Sequence, residues 1–336
     1  MALRQILVVG ALVANTCRGW GIISMKAPTP KVHQVVLIRH GLSKYNKESI
    51  FTGWFDIGLA PEGKEECLEA GRLLAGAGFR FDVAHASVLQ RACTSLHKIL
   101  EGSEQPWVPI KTHWRLNERH YGNLQGWNKE KTLQRLGDIV TAWRRSYDVR
   151  PPPMTEEHPH WPLIAHDSRY KGIEIPHGES IADTELRVKE YWDGPIASDI
   201  KAGKSVLVVA HANSLRALVH HLDKGINTEN IKLPTGRPFV YRLDENLSPV
   251  GEPDENGFTG QFVSDMVGAD EFSGNFTRLS NACAEGLEQD PTVLPEECIL
   301  MAQPSQPNGG WKLGQPGTMP VEGSSNTSTS TVRSSK

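Results

Sequence analysis

Two short apolar runs constrain this chain more than any other feature. Val35-Val36-Leu37-Ile38 leads into Arg39-His40-Gly41, and Val206-Leu207-Val208-Val209-Ala210 leads into His211. Each run is rich in β-branched residues, unbroken by polar ones and too short for a helix, which predicts buried strands of a parallel sheet. Ligands of such sheets bind beyond the carboxyl ends of the strands, so both histidines are expected at one rim. A neutral imidazole is a nucleophile, and a guanidinium beside it holds phosphate oxygens by paired, charge-assisted hydrogen bonds. Arg39 and His40 supply both groups side by side, which predicts a site that handles phosphate.

The 336 residues carry a formal net charge of −3 and 38% hydrophobic residues, as in a globular protein of one large domain or two small ones. No basic surplus points to nucleic acid. Cys17, Cys67, Cys93, Cys283 and Cys298 are scattered and include no Cys-x-x-Cys pair, which argues against a zinc site or a disulfide framework. Residues 1–30 read as a targeting or flexible segment: Arg4 precedes the apolar run Ile6 to Ala14, and no acidic residue occurs before Glu48. An organelle such as the mitochondrion is expected over the cytoplasm, with secretion as the alternative. The run is too short for a stable membrane span. Residues 251–302 read as an extension of unassigned role, and 303–336 as a disordered Pro, Gly, Ser and Thr tail.

Residues 31–250 alternate strand-like and helix-like segments, the pattern of an α/β sheet covered by helices. A helix follows Pro61. Phe81 to Ala86 reads as a strand, and Ser87 as the N-cap of a helix that places Arg91 near the edge holding His40. Arg115 to Gly122 reads as a polar loop, and Lys129 to Arg145 as one helix. A long excursion then runs to Gly178, as lids and binding loops do. Ser180 begins a helix to Trp192, and after the second strand Asn213-Ser214 caps a helix from Leu215 to Leu222, whose N-terminus is an anion site.

A lone strand-end histidine ordinarily makes structural hydrogen bonds. Here Arg39, Arg91 and His211 are placed to surround the same phosphoryl group, which makes His40 the nucleophile. Moving that group on and off an imidazole requires a proton donor and acceptor. Glu118 fits if it stands beside His40; otherwise it is a salt-bridge partner of Arg115 or Arg119. Arg144-Arg145 reads either as a solvated helix end or, with Lys129 about four turns upstream on one helix, as a clamp on a substrate carrying carboxylate and phosphate. Gly203-Lys204-Ser205 imitates the end of a P-loop, but Ser198 stands where the earlier glycine is needed. His158-Pro159-His160 and His220-His221 lack metalloprotease spacing.

With these residues in view, the chain resembles the 2,3-bisphosphoglycerate-dependent phosphoglycerate mutases of the histidine phosphatase superfamily. The resemblance is carried by Phe51-Thr52-Gly53-Trp54, by Trp114 to Gly122, by Arg144 to Asp148, by Asn213 to Arg216 and by Pro234-Thr235-Gly236. It implies a phosphoglycerate mutase-like α/β three-layer sandwich, with a mostly parallel sheet flanked by helices. It implies a metal-independent isomerase of glycolysis and gluconeogenesis that interconverts 3-phosphoglycerate and 2-phosphoglycerate. His40 would become phosphohistidine, primed by 2,3-bisphosphoglycerate, with Glu118 as proton donor and acceptor and His211, Arg39 and Arg91 around the transferring group. Further ligand contacts are implied for Ser43, Asn46, Thr52, Gly53, Arg119, His120, Tyr121, Lys129, Arg144, Arg145, Ala212 and Asn213. The partners are small phosphoglycerates, and homo-oligomerisation is left open.

Four positions depart from the family pattern. Leu42, Lys44 and Tyr45 replace residues near the first histidine, and the pocket charge is expected to shift. Ala212 replaces a glycine, which matters if that position needs a positive φ. Two other readings therefore stand beside the mutase: a phosphatase using the same phosphohistidine, and an impaired scaffold with the mutase fold.

Overall fold

The computed structural model describes residues 32–266 and, beyond them, only the paired backbone of residues 302–303 and 312–313. The expectations for residues 1–30 and, that ladder aside, for 267–336 lie outside the described residues. In chain order the elements are β1 (His33–Arg39), α1 (Lys44–Lys47), α2 (Pro61–Gly76), β2 (Val83–Ala86), α3 (Gln90–Gly102), β3 (Ile110–Thr112), α4 (Lys129–Leu136) and α5 (Ile139–Arg145). There follow α6 (Trp161–Ala165), α7 (Ile181–Tyr191), a π turn at Trp192–Ile196, α8 (Ala197–Lys201), β4 (Val206–Ala210), α9 (Ala212–Leu222), β5 (Pro238–Leu243), β6 (Gln261–Phe262) and α10 (Val263–Met266).

The sheet runs in the order β3-β2-β4-β1-β5-β6. β1 to β4 pair in parallel, whereas β5 pairs antiparallel with β1 and with β6, so the sheet is mixed and mostly parallel. Its two faces bury different helices. Val35, Leu37, Val206 and Val208 join Val188, Ile200, Leu215 and Leu218 of α7, α8 and α9, whereas Val36, Ile38, Leu207 and Val209 join Leu73, Leu74, Leu96 and Ile99 of α2 and α3. Both faces are covered, which is why the two runs are apolar throughout instead of alternating. Each such side chain contributes about 1.5–3 kcal/mol on burial.

Register decides the site. Arg39 lies opposite Ala210, so the next residues of the two strands, His40 and His211, leave the sheet together at one rim.

Local chemistry moves several expected boundaries. β2 begins at Val83, because the backbone N–H of Phe81 donates to Gln105 Oε1 and not to a ladder partner. The helix after Ser87 starts at Gln90; Ser87 does accept from the Leu89 N–H, but as a turn before the helix. The expected single helix from Lys129 to Arg145 is two, α4 and α5, broken at Gly137, whose φ of 69° and ψ of −153° lie outside helical geometry. α9 starts at Ala212, with His211 at its N-cap, and not at Leu215.

The first part of the C-terminal extension completes the sheet. β6 pairs with β5, Val263 is fully buried against the α2 and α3 side, and Asp223 accepts from both Tyr241 Oη (2.6 Å) and Thr259 Oγ1 (2.5 Å). Two smaller cores, around Phe51 and Trp143 and around Trp54 and Met154, support α4, α5 and the excursion beside the rim. Among the described residues no helix is long and apolar enough to cross a membrane.

Candidate active site

His40 is buried just past β1, its backbone N–H donating to Ala210 O at 2.9 Å. Its Nδ1 lies 2.7 Å from Gly41 O. A carbonyl oxygen only accepts, so Nδ1 carries the hydrogen and Nε2 keeps its lone pair. Burial, reinforced by the Arg91 and Arg39 charges, holds the His40 pKa well below the usual imidazole range, against an opposing pull from the Gly41 carbonyl. The ring is therefore neutral and nucleophilic at neutral pH.

The loop carrying His40 sits on α2 with no side-chain thickness between them. A Cβ on Gly41 would lie 2.1 Å from Gly63 O, and one on Gly63 would lie 2.1 Å from Leu42 O. Two donations fasten the loop further, from Gly41 N to Ser95 Oγ (3.0 Å) and from Leu42 N to Glu66 Oε2 (2.9 Å).

His211 stands beside His40, with ring centroids 5.0 Å apart. Ser87 donates its hydroxyl hydrogen to Asn117 Oδ1 (3.0 Å), so it accepts from His211 Nε2 at 2.8 Å, which fixes the second tautomer. Arg91, in the first turn of α3, donates to Gly53 O (2.8 Å) and Phe55 O (3.1 Å). Burial pulls its pKa down to about 10, which leaves it charged. Arg39 donates to Leu233 O at 3.1 Å, and the Nε atoms of both arginines are buried without a partner among the described residues. Such unpaired donors favour an anion with several acceptor oxygens.

Glu118 reaches the pocket from the loop after β3. Its Oε1 accepts from the backbone N–H groups of Arg119 (2.8 Å) and Asn213 (3.1 Å) and from Asn213 Nδ2 (3.0 Å), whereas Oε2 takes part in none of these bonds. The loop is clamped by Arg187, which donates to the carbonyl oxygens of Arg115, Asn117 and Glu118 at 2.8–3.0 Å while paired with Glu179 at 2.7 Å. The salt bridge to Arg115 or Arg119 does not form; Arg115 pairs instead with Glu190.

The pocket is lined by Arg39, His40, Asn46, Thr52, Gly53, Arg91, Glu118, Tyr121, Lys129, Arg144, Arg145, Ala212, Asn213 and Arg216. Six cationic side chains thus face one carboxylate. Burial lowers the pKa values of Lys129 and Arg144, and their mutual repulsion with neighbouring arginines adds to it. The break at Gly137 lets both Lys129, at the start of α4, and Arg144-Arg145, at the end of α5, reach one pocket.

Four expected site residues do not line this pocket. His211 lies beside the His40 ring and turns its Nε2 to Ser87 Oγ. Ser43 caps α1 and bonds Asn46. Arg119 stacks over Tyr121 at 4.6 Å and donates to Arg144 O at 3.2 Å. His120 is fully buried, with its backbone N–H on Glu179 and its Nδ1 accepting from Gly122 N. In this arrangement those three side chains support the pocket from outside its lining. Sequence reasoning missed Arg216, which lines the pocket, and the pair Glu179–Arg187. Arg216 lies in the quoted string Asn213 to Arg216, one helical turn after Asn213, which was signal enough to find it.

Comparison with known proteins agrees with this geometry. The histidine phosphatase superfamily (branch 1) matches residues 35–160 and 152–238. Over 218 residues the chain is 50% identical to the 2,3-bisphosphoglycerate-dependent phosphoglycerate mutase of Zymomonas mobilis subsp. mobilis, spanning 64% of this chain and 95% of that protein. The chain belongs to the 2,3-bisphosphoglycerate-dependent phosphoglycerate mutases. It is an enzyme of the histidine phosphatase superfamily. Among solved structures, a mycobacterial hydrolase (TM-score 0.51, 20% identity, 69% of this chain and 97% of that one) shares the fold. So does the phosphoglycerate mutase of Bacillus anthracis str. Sterne (TM-score 0.50, 20% identity, 68% and 95%).

The departures from the mutase pattern fall outside the pocket or cost nothing in the backbone. Lys44 is exposed, and neither it nor Leu42 is among the residues that line the pocket. Ala212 begins α9 and is not among the described residues with positive φ, so the usual mutase glycine is not required here.

Proposed function

We propose that this mutase interconverts 3-phosphoglycerate and 2-phosphoglycerate, the step shared by glycolysis and gluconeogenesis, through a phosphohistidine at His40. The observation that carries the reading is the second set of cations. Arg39 and Arg91 serve one phosphoryl group at His40, whereas Lys129, Arg144 and Arg145 line the same pocket and match a substrate that also bears a carboxylate. Nε2 of His40 attacks phosphorus as the P–O bond breaks, and Glu118 protonates the departing oxygen. In the return step Glu118 takes the proton of the other hydroxyl as that oxygen attacks phosphorus and the P–N bond breaks. When bound, 2,3-bisphosphoglycerate supplies the first phosphoryl group, and the unpaired Nε atoms of Arg39 and Arg91 suit such a polyanion.

The test is formation of 2-phosphoglycerate from 3-phosphoglycerate in excess chelator, with and without catalytic 2,3-bisphosphoglycerate, while released phosphate is followed. Stimulated isomerisation with little phosphate release is expected, and His40→Ala should lower it on the order of 10³-fold or more. Phosphate release without isomerisation makes the protein a phosphatase, and silence in both channels revives the scaffold reading.

A further inference from the structure

Arg216 lines the pocket, yet its guanidinium is committed to the protein on two sides. Its Nε and Nη2 both donate to Ile231 O at 3.2 Å, and its Nη1 donates to Asn213 Oδ1 at 2.5 Å. It is 8% exposed and lies three residues after Asn213 on α9, where side chains of one helix face meet. An arginine has no acceptor, so this bond fixes which end of the Asn213 amide faces it. With Oδ1 on Arg216, Nδ2 is turned the other way, where it donates to Glu118 Oε1 (3.0 Å) and Tyr121 Oη (2.9 Å).

We infer that Arg216 is a positioning residue that acts on Glu118 through the Asn213 amide. The chain of bonds runs from Ile231 O through Arg216 and Asn213 to Glu118 Oε1. Loading Oε1 with three donors reserves Oε2 for the proton that moves during transfer. Without Arg216 the amide is free to turn, and its oxygen would then face a carboxylate oxygen, moving Glu118 off the line between donor and acceptor. The 231–236 segment is part of the same device. It receives Arg216 at Ile231 O and Arg39 at Leu233 O, and Gly236 N returns a bond to Arg39 O at 3.0 Å. The position of the proton carrier and that of the phosphate-binding arginine are therefore set by one strap.

This inference rests on the proposed isomerisation, and a double-mutant cycle tests it separately. Arg216→Met, Asn213→Ala and the double variant are compared by kcat and KM for 3-phosphoglycerate, with thermal unfolding as a check on folding. Each single change is expected to lower kcat about tenfold or more, with the double variant no more than about threefold below the worse single, because both remove one linkage. If the Met variant does not fold, Arg216→Lys replaces it: the charge stays, the two-sided fork is lost, and the same non-additive fall in kcat is expected. Multiplicative losses, or a rise in KM with kcat unchanged, would mean that Arg216 is only a direct anion contact, and would overturn the inference alone. A parent protein that does not isomerise overturns the functional reading and this inference together.

Discussion

At the scale of single residues, burial settles the protonation of the histidines around the site. Burial, with repulsion from His177, Arg187 and His158, pulls the His120 pKa down to about 3. Burial, with His158 adding, pulls that of His160 down to about 4. Unfolded histidine titrates at about 6.5, so below that pH the unfolded chain binds protons that the folded chain refuses. The stabilisation is complete above the unfolded value and is lost as pH falls toward 4 and then 3. The urea midpoint is expected to drop steadily as pH falls below the unfolded value, and His160→Phe, which keeps the stack on Phe55, should flatten that slope. A slope unchanged in the variant counts against the assignment. These residues illustrate what sequence can and cannot supply. His40 and Arg39 were legible because a buried strand must end somewhere and its last residues meet the rim. The family resemblance implies His120 as a contact along with the rest of Trp114 to Gly122, and nothing in the string Glu118-Arg119-His120-Tyr121 says which side chains turn inward.

At the scale of elements, the turn between α4 and α5 brings the distant cations together. Gly137 has open space around its Cα, so the cost of an added methyl is conformational and not steric. At its φ of 69° an alanine is strained by about 1 kcal/mol or more. Gly137→Ala is expected to lower Tm by a few degrees and to raise KM several-fold, with kcat changed less, because Arg144 and Arg145 shift relative to Lys129 while His40 does not. Calorimetry together with steady-state kinetics checks this, and an equal loss in kcat with no change in KM contradicts it. Apolar periodicity continues through Leu133, Leu136, Val140 and Trp143, so the segment reads as one helix. The stop signal was present as a glycine after Leu136 with Asp138 following, and the periodicity masked it. Strands fared better than helix ends, since coverage on both faces forces a composition that short helices do not require.

At the scale of the molecule, the described C-terminal extension is structural at least to residue 266. A chain ending at 250 loses β6, α10 and the buried Val263, and the ring of Phe239 loses Phe262, now 4.9 Å away. It is expected to unfold at a lower temperature or without a single cooperative transition. A chain ending at 302 should keep that transition, and a non-cooperative melt there would contradict the prediction. This pairing was not legible in the sequence. Gln261-Phe262 is too short to show a period, and its partner strand lies more than a dozen residues earlier. The contact between Gly41 and Gly63 bears on how such a protein can change over generations. No side chain fits in that seat, so the position of His40 cannot be adjusted by enlarging either glycine. The rest of the lining, from α4, α5 and α9, meets no such seat and carries Lys129, Arg144, Arg145 and Arg216. The chemistry is inherited as a fixed fixture, and the choice of substrate is the part left open to variation.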